Sequence, residues 1–180
     1  MANINPFNII NTHGFGFVWL NQGVENHEYF LSVFEQRCKD MYGQDWRSNT
    51  DSHNRRFYLN IKTGYDIEEY INNVTVFKHR RCISLIRTSS HNLNSNNRCQ
   101  NQIDGQCQMC ELEEPEDEYH FCLVCPAYIS PRTNLLPSYF WQNPSRIKLY
   151  NLLSTCKYSV NLAKFLYVAF SIRKSSMVRT

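Results

Sequence analysis

CQMCELEEPEDEYHFCLVCP, residues 107–126, places four cysteines, one histidine and six acidic residues within twenty positions. Five of those side chains can bind a metal ion, and a tetrahedral site takes four. Cys107-x2-Cys110 is the first half of a zinc site, because two intervening residues let one tight turn aim both sulfurs at the same ion. The second half has three candidates. His120 with Cys125 gives C-x2-C-x9-H-x4-C, a knuckle-like set of three cysteines and one histidine. Cys122 with Cys125 gives the all-cysteine C-x2-C-x11-C-x2-C. Both are stereochemically sound, and spacing alone leaves both open.

Either set fills the coordination shell. A hydrolytic zinc keeps one position for water, with three protein ligands and a nearby base. The chain has no H-E-x-x-H, and the deaminase pattern H-x-E…P-C-x-x-C is missing, since His27 and Glu28 are adjacent and no Pro precedes a Cys-x-x-Cys. A structural zinc is therefore expected.

The same stretch reorganises the charge. Glu111, Glu113, Glu114, Glu116, Asp117 and Glu118 are six of the sixteen acids, and the whole chain has a formal charge of +3. Without them nineteen Lys and Arg face ten acids, a charge of +9. A basic body thus carries one acidic loop. Three thiolates and an imidazole leave a zinc site at about −1. The six acids lie within a Debye length of roughly 10 Å of it, so this loop repels phosphate. Any nucleic-acid partner would be met by basic helices, with the knuckle as scaffold.

Upstream, Asn26 is a candidate N-cap with Glu28 in the first turn, and Phe30, Leu31, Phe34, Cys38, Met41 and Tyr42 recur at helical spacing to a stop at Gly43. The lead-in GFGFVWL reads as a short strand or extended segment. DIEEYINNV predicts a short helix. Thr75 then caps a helix to about Thr88, with an apolar stripe of Val76, His79, Ile83 and Ile86 and a polar stripe of Arg80, Ser84 and Arg87 that His91 extends. Such a basic stripe can meet phosphates or simply face water. Residues 91–106 form a polar linker with a turn at Asp104-Gly105. Beyond the cluster, Pro131, Pro137 and Pro144 punctuate an irregular aromatic stretch. Ser145 caps a helix carrying Ile147, Tyr150, Leu152 and Leu153. A last helix carries Leu162, Phe165, Leu166 and Ala169, and its Arg173 and Lys174 suit the C-terminal dipole.

A chain of 180 residues with 42% hydrophobic and 14% aromatic residues suits a packed domain. No apolar run is long enough to span a bilayer, and MANINPFNII lacks the pattern of a secretory signal. An intracellular setting, nucleus or cytoplasm, keeps the cysteines reduced unless a metal binds them. The expected fold is mostly α, a small helical domain with one zinc-knuckle-like loop. Its expected segments are an irregular 1–23, a helical 24–90, the linker 91–106, the knuckle 107–128 and C-terminal helices over 129–180.

EDEYHFCLVCPAYISPR after CQMC resembles the C-terminal zinc-binding region of reverse transcriptases from LINE-type (non-LTR) retrotransposons, above all divergent invertebrate copies. The likeness extends through ISLIRTSSHNL and, more loosely, GFGFVWLNQ, FLSVFEQRCKDMY and NLAKFLYVAFSIR. It implies Cys107, Cys110, His120 and Cys125 as ligands, because such copies usually hold an aliphatic residue where this chain has Cys122. It also matches Arg87 and His91 to a recurring basic pair. The linker departs from the pattern, keeping only Arg98 of the usual acidic and Gly-Arg residues. No Tyr/Phe-x-Asp-Asp polymerase motif is present. The expectation is a non-catalytic accessory module that binds RNA or DNA, with no small-molecule substrate and no membrane. Lys78, Arg80, Arg81, Arg87 and Arg98 are the expected phosphate contacts. The alternative is a structural or protein-interaction domain with incidental basic charge.

Overall fold

The computed structural model describes residues 5–21, 23–50, 56–62, 64, 66–94 and 105–177. The chain divides into two compact units, 1–51 and 52–180, so the helical segment expected over 24–90 is cut near its middle. No strand occurs among the described residues; one isolated bridge joins Gln106 and Pro115.

In the first unit the stretch expected to be irregular is helical. Helix α1 (Pro6–Thr12) and helix α2 (Gly16–Asn21) flank a reversal at Gly14, whose φ of +84° is the left-handed conformation that glycine adopts without steric cost. Helix α3 (His27–Thr50) starts as expected, with Asn26 Oδ1 accepting the Tyr29 N–H at 2.9 Å. It does not stop at Gly43, which is buried within it. Among the described glycines only Gly14 takes the positive φ that a helix-ending glycine needs. The ring of Phe15 meets Phe30 and Phe34 with centroids 5.5 Å away in each case. Leu31 and Tyr42, expected on that face, are exposed.

In the second unit, DIEEYINNV yields a single turn, helix α5 (Glu69–Asn73), after another turn, helix α4 (Arg56–Leu59). Helix α6 (Phe77–Arg87) begins two residues after Thr75, and its cap, Val76, makes no side-chain capping bond. Ile83 and Ile86 are buried as expected, whereas Val76 is exposed. The polar stripe of α6 is not its wet side. Arg80 donates to the carbonyl oxygens of Ile71 and Val74, at the end of α5. Ser84 bonds the Tyr70 hydroxyl at 2.9 Å. Arg87 is buried, and its Nη2 grips both carboxylate oxygens of Glu68 at 2.7 and 2.8 Å. A carboxylate partner offsets the cost of burying this charge, and Glu68 lies on the segment that the stripe packs against.

The prolines after the cluster punctuate helices rather than an irregular stretch. Helix α7 (Ile129–Leu135) holds Pro131 in its first turn, where a missing N–H costs nothing, and Pro137 precedes helix α8 (Ser138–Trp141). Helix α9 (Arg146–Ser154) is capped as expected, with Ser145 Oγ accepting the Lys148 N–H at 3.2 Å. Its buried face is Leu149, Leu152 and Leu153, while Ile147 is exposed.

Helix α10 (Ser159–Met177) buries Leu162, Phe165, Leu166, Ala169 and Arg173, a stripe at helical spacing. It packs chiefly on α6 and also on α5, α7 and α9. The core therefore collects around α10, and the cysteine-rich segment is built against it, with the Phe121 and Phe170 ring centroids 4.8 Å apart.

Candidate metal centre

The segment that carries the first two ligands folds into a closed loop. Glu116 N–H donates to Gly105 O and Cys107 N–H to Glu114 O, each at 2.9 Å, so both ends of the acidic run are tied to the base of the first cysteine turn. Glu113, with φ of +53°, makes the reversal between them. Asp117 then starts the next turn. Its Oδ1 accepts the His120 N–H at 2.8 Å, an N-cap bond that a sequence of consecutive acids conceals.

His120–Val124 is a π-helical turn, and the Cys125 N–H closes it onto His120 O at 2.7 Å. An i to i+5 bond winds the chain wider than an α-turn. Residues five apart then lie on the same side, which brings His120 and Cys125 to one point. In the same turn Cys122 points the other way, into the core, with no solvent exposure. Burial pushes its thiol well above the ordinary value, so it is a neutral packing residue.

Cys107, Cys110, His120 and Cys125 form a group whose donor atoms all lie within 4.8 Å of one another. Cys107 Sγ and Cys125 Sγ are 3.8 Å apart, and Cys110 Sγ is 3.3 Å from His120 Nε2. Sulfurs at 2.3 Å from a tetrahedral ion sit about 3.8 Å apart. The donor set is thus arranged as a metal ion requires. The set read from spacing as C-x2-C-x9-H-x4-C is the one brought together, and the all-cysteine set is not.

The protonation chemistry of Cys107, His120 and Cys125 points the same way. Contact with Cys125 pulls the Cys107 thiol down to about 4, against the effect of its burial. Contact with Cys107 and burial push Cys125 far up. Burial disfavours the His120 imidazolium, but its contacts with Cys107, Glu114 and Cys110 outweigh that and raise it to about 9. Protons are shared within a buried cluster that one cation can replace, because metal ligands must be deprotonated and binding releases protons.

The surroundings orient these donors. His120 Nδ1 lies 2.9 Å from Glu114 Oε2, so Nδ1–H donates to the carboxylate and Nε2 faces the sulfurs, where its lone pair is freed when a metal displaces the proton. A carboxylate behind a ligating histidine is the usual means of setting its tautomer. Arg132, also buried, donates from Nε to Cys122 O at 2.9 Å and from Nη2 to Cys125 O at 2.8 Å. The guanidinium thereby stitches the π-turn to α7. Nothing in the spacing of Arg132 announces that role.

Most of the acidic run is likewise used within the fold. Glu116 has no exposure and binds Arg173 Nε and Nη2 at 2.7 Å each. Arg173 therefore does not serve the helix dipole, as its position suggested. Glu118 takes a 2.9 Å contact from His91 Nε2 and a bond from Ser89. Asp117 pairs with Arg146 at 2.8 Å. Only Glu111 and Glu113 of the six have no such contact here and face solvent. The loop that reads as a solvated negative patch is mostly a set of sockets for distant basic side chains.

The expected phosphate contacts are scattered in their surroundings. Lys78 and Arg81 are exposed on α6. Arg80 is half-buried against the end of α5, and Arg87 is closed off by Glu68. Arg98 lies outside the described residues, as do Cys99 and most of the linker. No helix among the described residues is long and apolar enough to cross a membrane. Among known proteins, no family model matches the chain, and no curated protein or solved structure matches it.

Proposed function

We propose that this chain is a zinc-binding helical module that engages nucleic acid, of the kind carried at the C-terminal end of LINE-type reverse transcriptases, and that its zinc is structural. The observation that carries the zinc is the convergence of Cys107, Cys110, His120 and Cys125 with His120 Nδ1 held by Glu114. Three thiols and one imidazole at tetrahedral spacing suit zinc over the harder, oxygen-seeking ions. Four donors leave no position for a reactive water, so the metal's work is to hold the loop, the π-turn and α7 together. Catalysis is not part of this reading.

The nucleic-acid half rests on charge. With Glu114, Glu116, Asp117 and Glu118 occupied by internal partners, the field outside the loop owes less to acids than the sequence suggests. Lys78 and Arg81 remain as outward cations on α6. One observation favours a second reading, a protein-interaction domain with incidental charge: Arg80 and Arg87, two of the five expected phosphate contacts, are turned inward.

Native mass spectrometry tests the metal. One zinc per chain, kept in Cys122→Ser and lost in His120→Ala, is the expected result; retention in His120→Ala would overturn the assigned set. Titration of labelled single-stranded RNA and DNA at physiological salt tests the rest. Saturable binding that weakens steeply with added salt is expected. Its absence leaves the protein-interaction reading.

A further inference from the structure

A cavity of about 520 Å³ opens between α6, the turn at residues 90–92 and α10. Its wall combines three apolar side chains, Leu85, Phe170 and Met177, with two outward cations, Arg81 and Lys174, and the amide of Asn92. Among the described residues neither Arg81 nor Lys174 has an ion-pair or hydrogen-bond partner, and both are exposed. That sets them apart from Arg173 in the same wall, whose charge Glu116 meets from behind, and from His91, whose Nε2 contacts Glu118. The inner guanidinium is matched and the outer two cations are not.

The ring in the wall is fixed. Phe170 lies at 4.8 Å and 33° against Phe121, and Phe121 meets Tyr128 edge-on at 4.8 Å. Phe121 follows His120 directly, so the turn that carries the metal ligands also backs the ring. A rigid aromatic in an apolar recess beside two free cations has the makings of a site for one flat ring with phosphate on either side. The volume falls within the range of small-molecule sites. Paired bases in a duplex present no free face, whereas an unstacked base of a single strand does.

We infer that this cavity receives one unstacked base of a single-stranded nucleic acid, with Phe170 and Leu85 against the base and Arg81 and Lys174 on the flanking phosphates. The inference rests on the nucleic-acid reading above and assigns it a place. A bare inorganic anion would satisfy the two cations but leave the apolar recess unused.

The test uses the full zinc-loaded chain and fluorescence anisotropy with a labelled uridine 12-mer, its duplex, and an abasic 12-mer of equal charge. Expected is tighter binding of the uridine strand than of either competitor. Arg81→Ala/Lys174→Ala should weaken it by roughly tenfold or more and lower the salt slope by about 1.4, at about 0.7 per phosphate contact on a single strand. Leu85→Trp fills the recess without removing charge, and should weaken the uridine strand while leaving the abasic strand unchanged. Equal binding of uridine and abasic strands overturns the base site and leaves nucleic-acid binding by charge alone. Binding that survives both variants also overturns it, and moves the partner to another surface. No binding of any oligonucleotide overturns the site together with the nucleic-acid reading. Should Leu85→Trp fail to fold, photo-crosslinking of a 4-thiouridine 12-mer to the wild-type chain decides the point: adducts on residues 81–92 or 167–177 support the cavity, and adducts elsewhere overturn it.

Discussion

Arg173, on the last helix, holds Glu116, in the acidic loop, through two 2.7 Å bonds with the carboxylate wholly removed from solvent. Asn94 adds its Oδ1 to the same guanidinium at 3.3 Å and its N–H to Glu116 at 3.0 Å. This closed group pins the loop between the two pairs of metal ligands to the main core helix.

Glu116→Leu should therefore destabilise the protein by about 3–5 kcal/mol, because it strands a buried guanidinium. Glu116→Leu with Arg173→Met should recover much of that loss, since an apolar pair in the same space has no charge to leave uncompensated. Urea denaturation of the two single variants and the double variant measures the coupling. Strict additivity of the two losses would show that the pair is not energetically joined.

Glu114 touches no metal-facing atom but bonds the rear nitrogen of His120. Glu114→Gln should lower zinc affinity by roughly 10–100-fold through loss of that orienting carboxylate. Competition with a chromophoric chelator reads the change. Glu113→Gln, one residue away and exposed, is the control and should leave affinity unaltered.

Acid should loosen the group around Glu118. Burial works to raise its carboxyl, but the bonds from His91 and Ser89 outweigh burial and hold it below the ordinary carboxylate range. A depressed folded-state value means the stabilisation is complete above the unfolded value of about 4.3 and is lost as pH falls through the lower folded one. Wild type should thus lose stability faster than Glu118→Gln as pH drops below about 4.3. Parallel pH profiles from chemical denaturation would count against this account.

On α6, equal charge should give unequal effects. Arg87→Met leaves Glu68 facing an apolar neighbour and should cost about 3 kcal/mol. Lys78→Ala, exposed on the same helix, should stay within about 0.5 kcal/mol. Thermal melts separate the two. Oligonucleotide affinity, corrected for the folded fraction, should not change in Arg87→Met, because its guanidinium is spent on Glu68 and Leu153 O.

Helices were readable wherever a short-range pattern specified them. Asn26 and Ser145 cap α3 and α9 through bonds to residues three positions on, and the α10 stripe repeats within two turns. Reading failed where a local signal had a non-local answer. Gly43 looks like a stop, yet α3 continues through it. GFGFVWL has the composition of a strand, yet without a partner strand it closes a helical turn after Gly14. The stripe of Arg80, Ser84 and Arg87 was correctly placed on one face of α6, but its surroundings depend on Glu68 and on the carbonyls that end α5.

The sequence alone determined the helical character, the caps and the kinds of donor available for a metal, because these depend on residues within one or two turns of each other. Tertiary structure decided between His120 and Cys122, since a π-turn carries His120 round to Cys125 and leaves Cys122 in the core. It also decided which acid serves which base. In water any of six carboxylates attracts any arginine about equally. Only the shape that buries Glu116 beside Arg173, 57 residues away, and Glu118 beside His91, 27 residues away, makes each pairing specific.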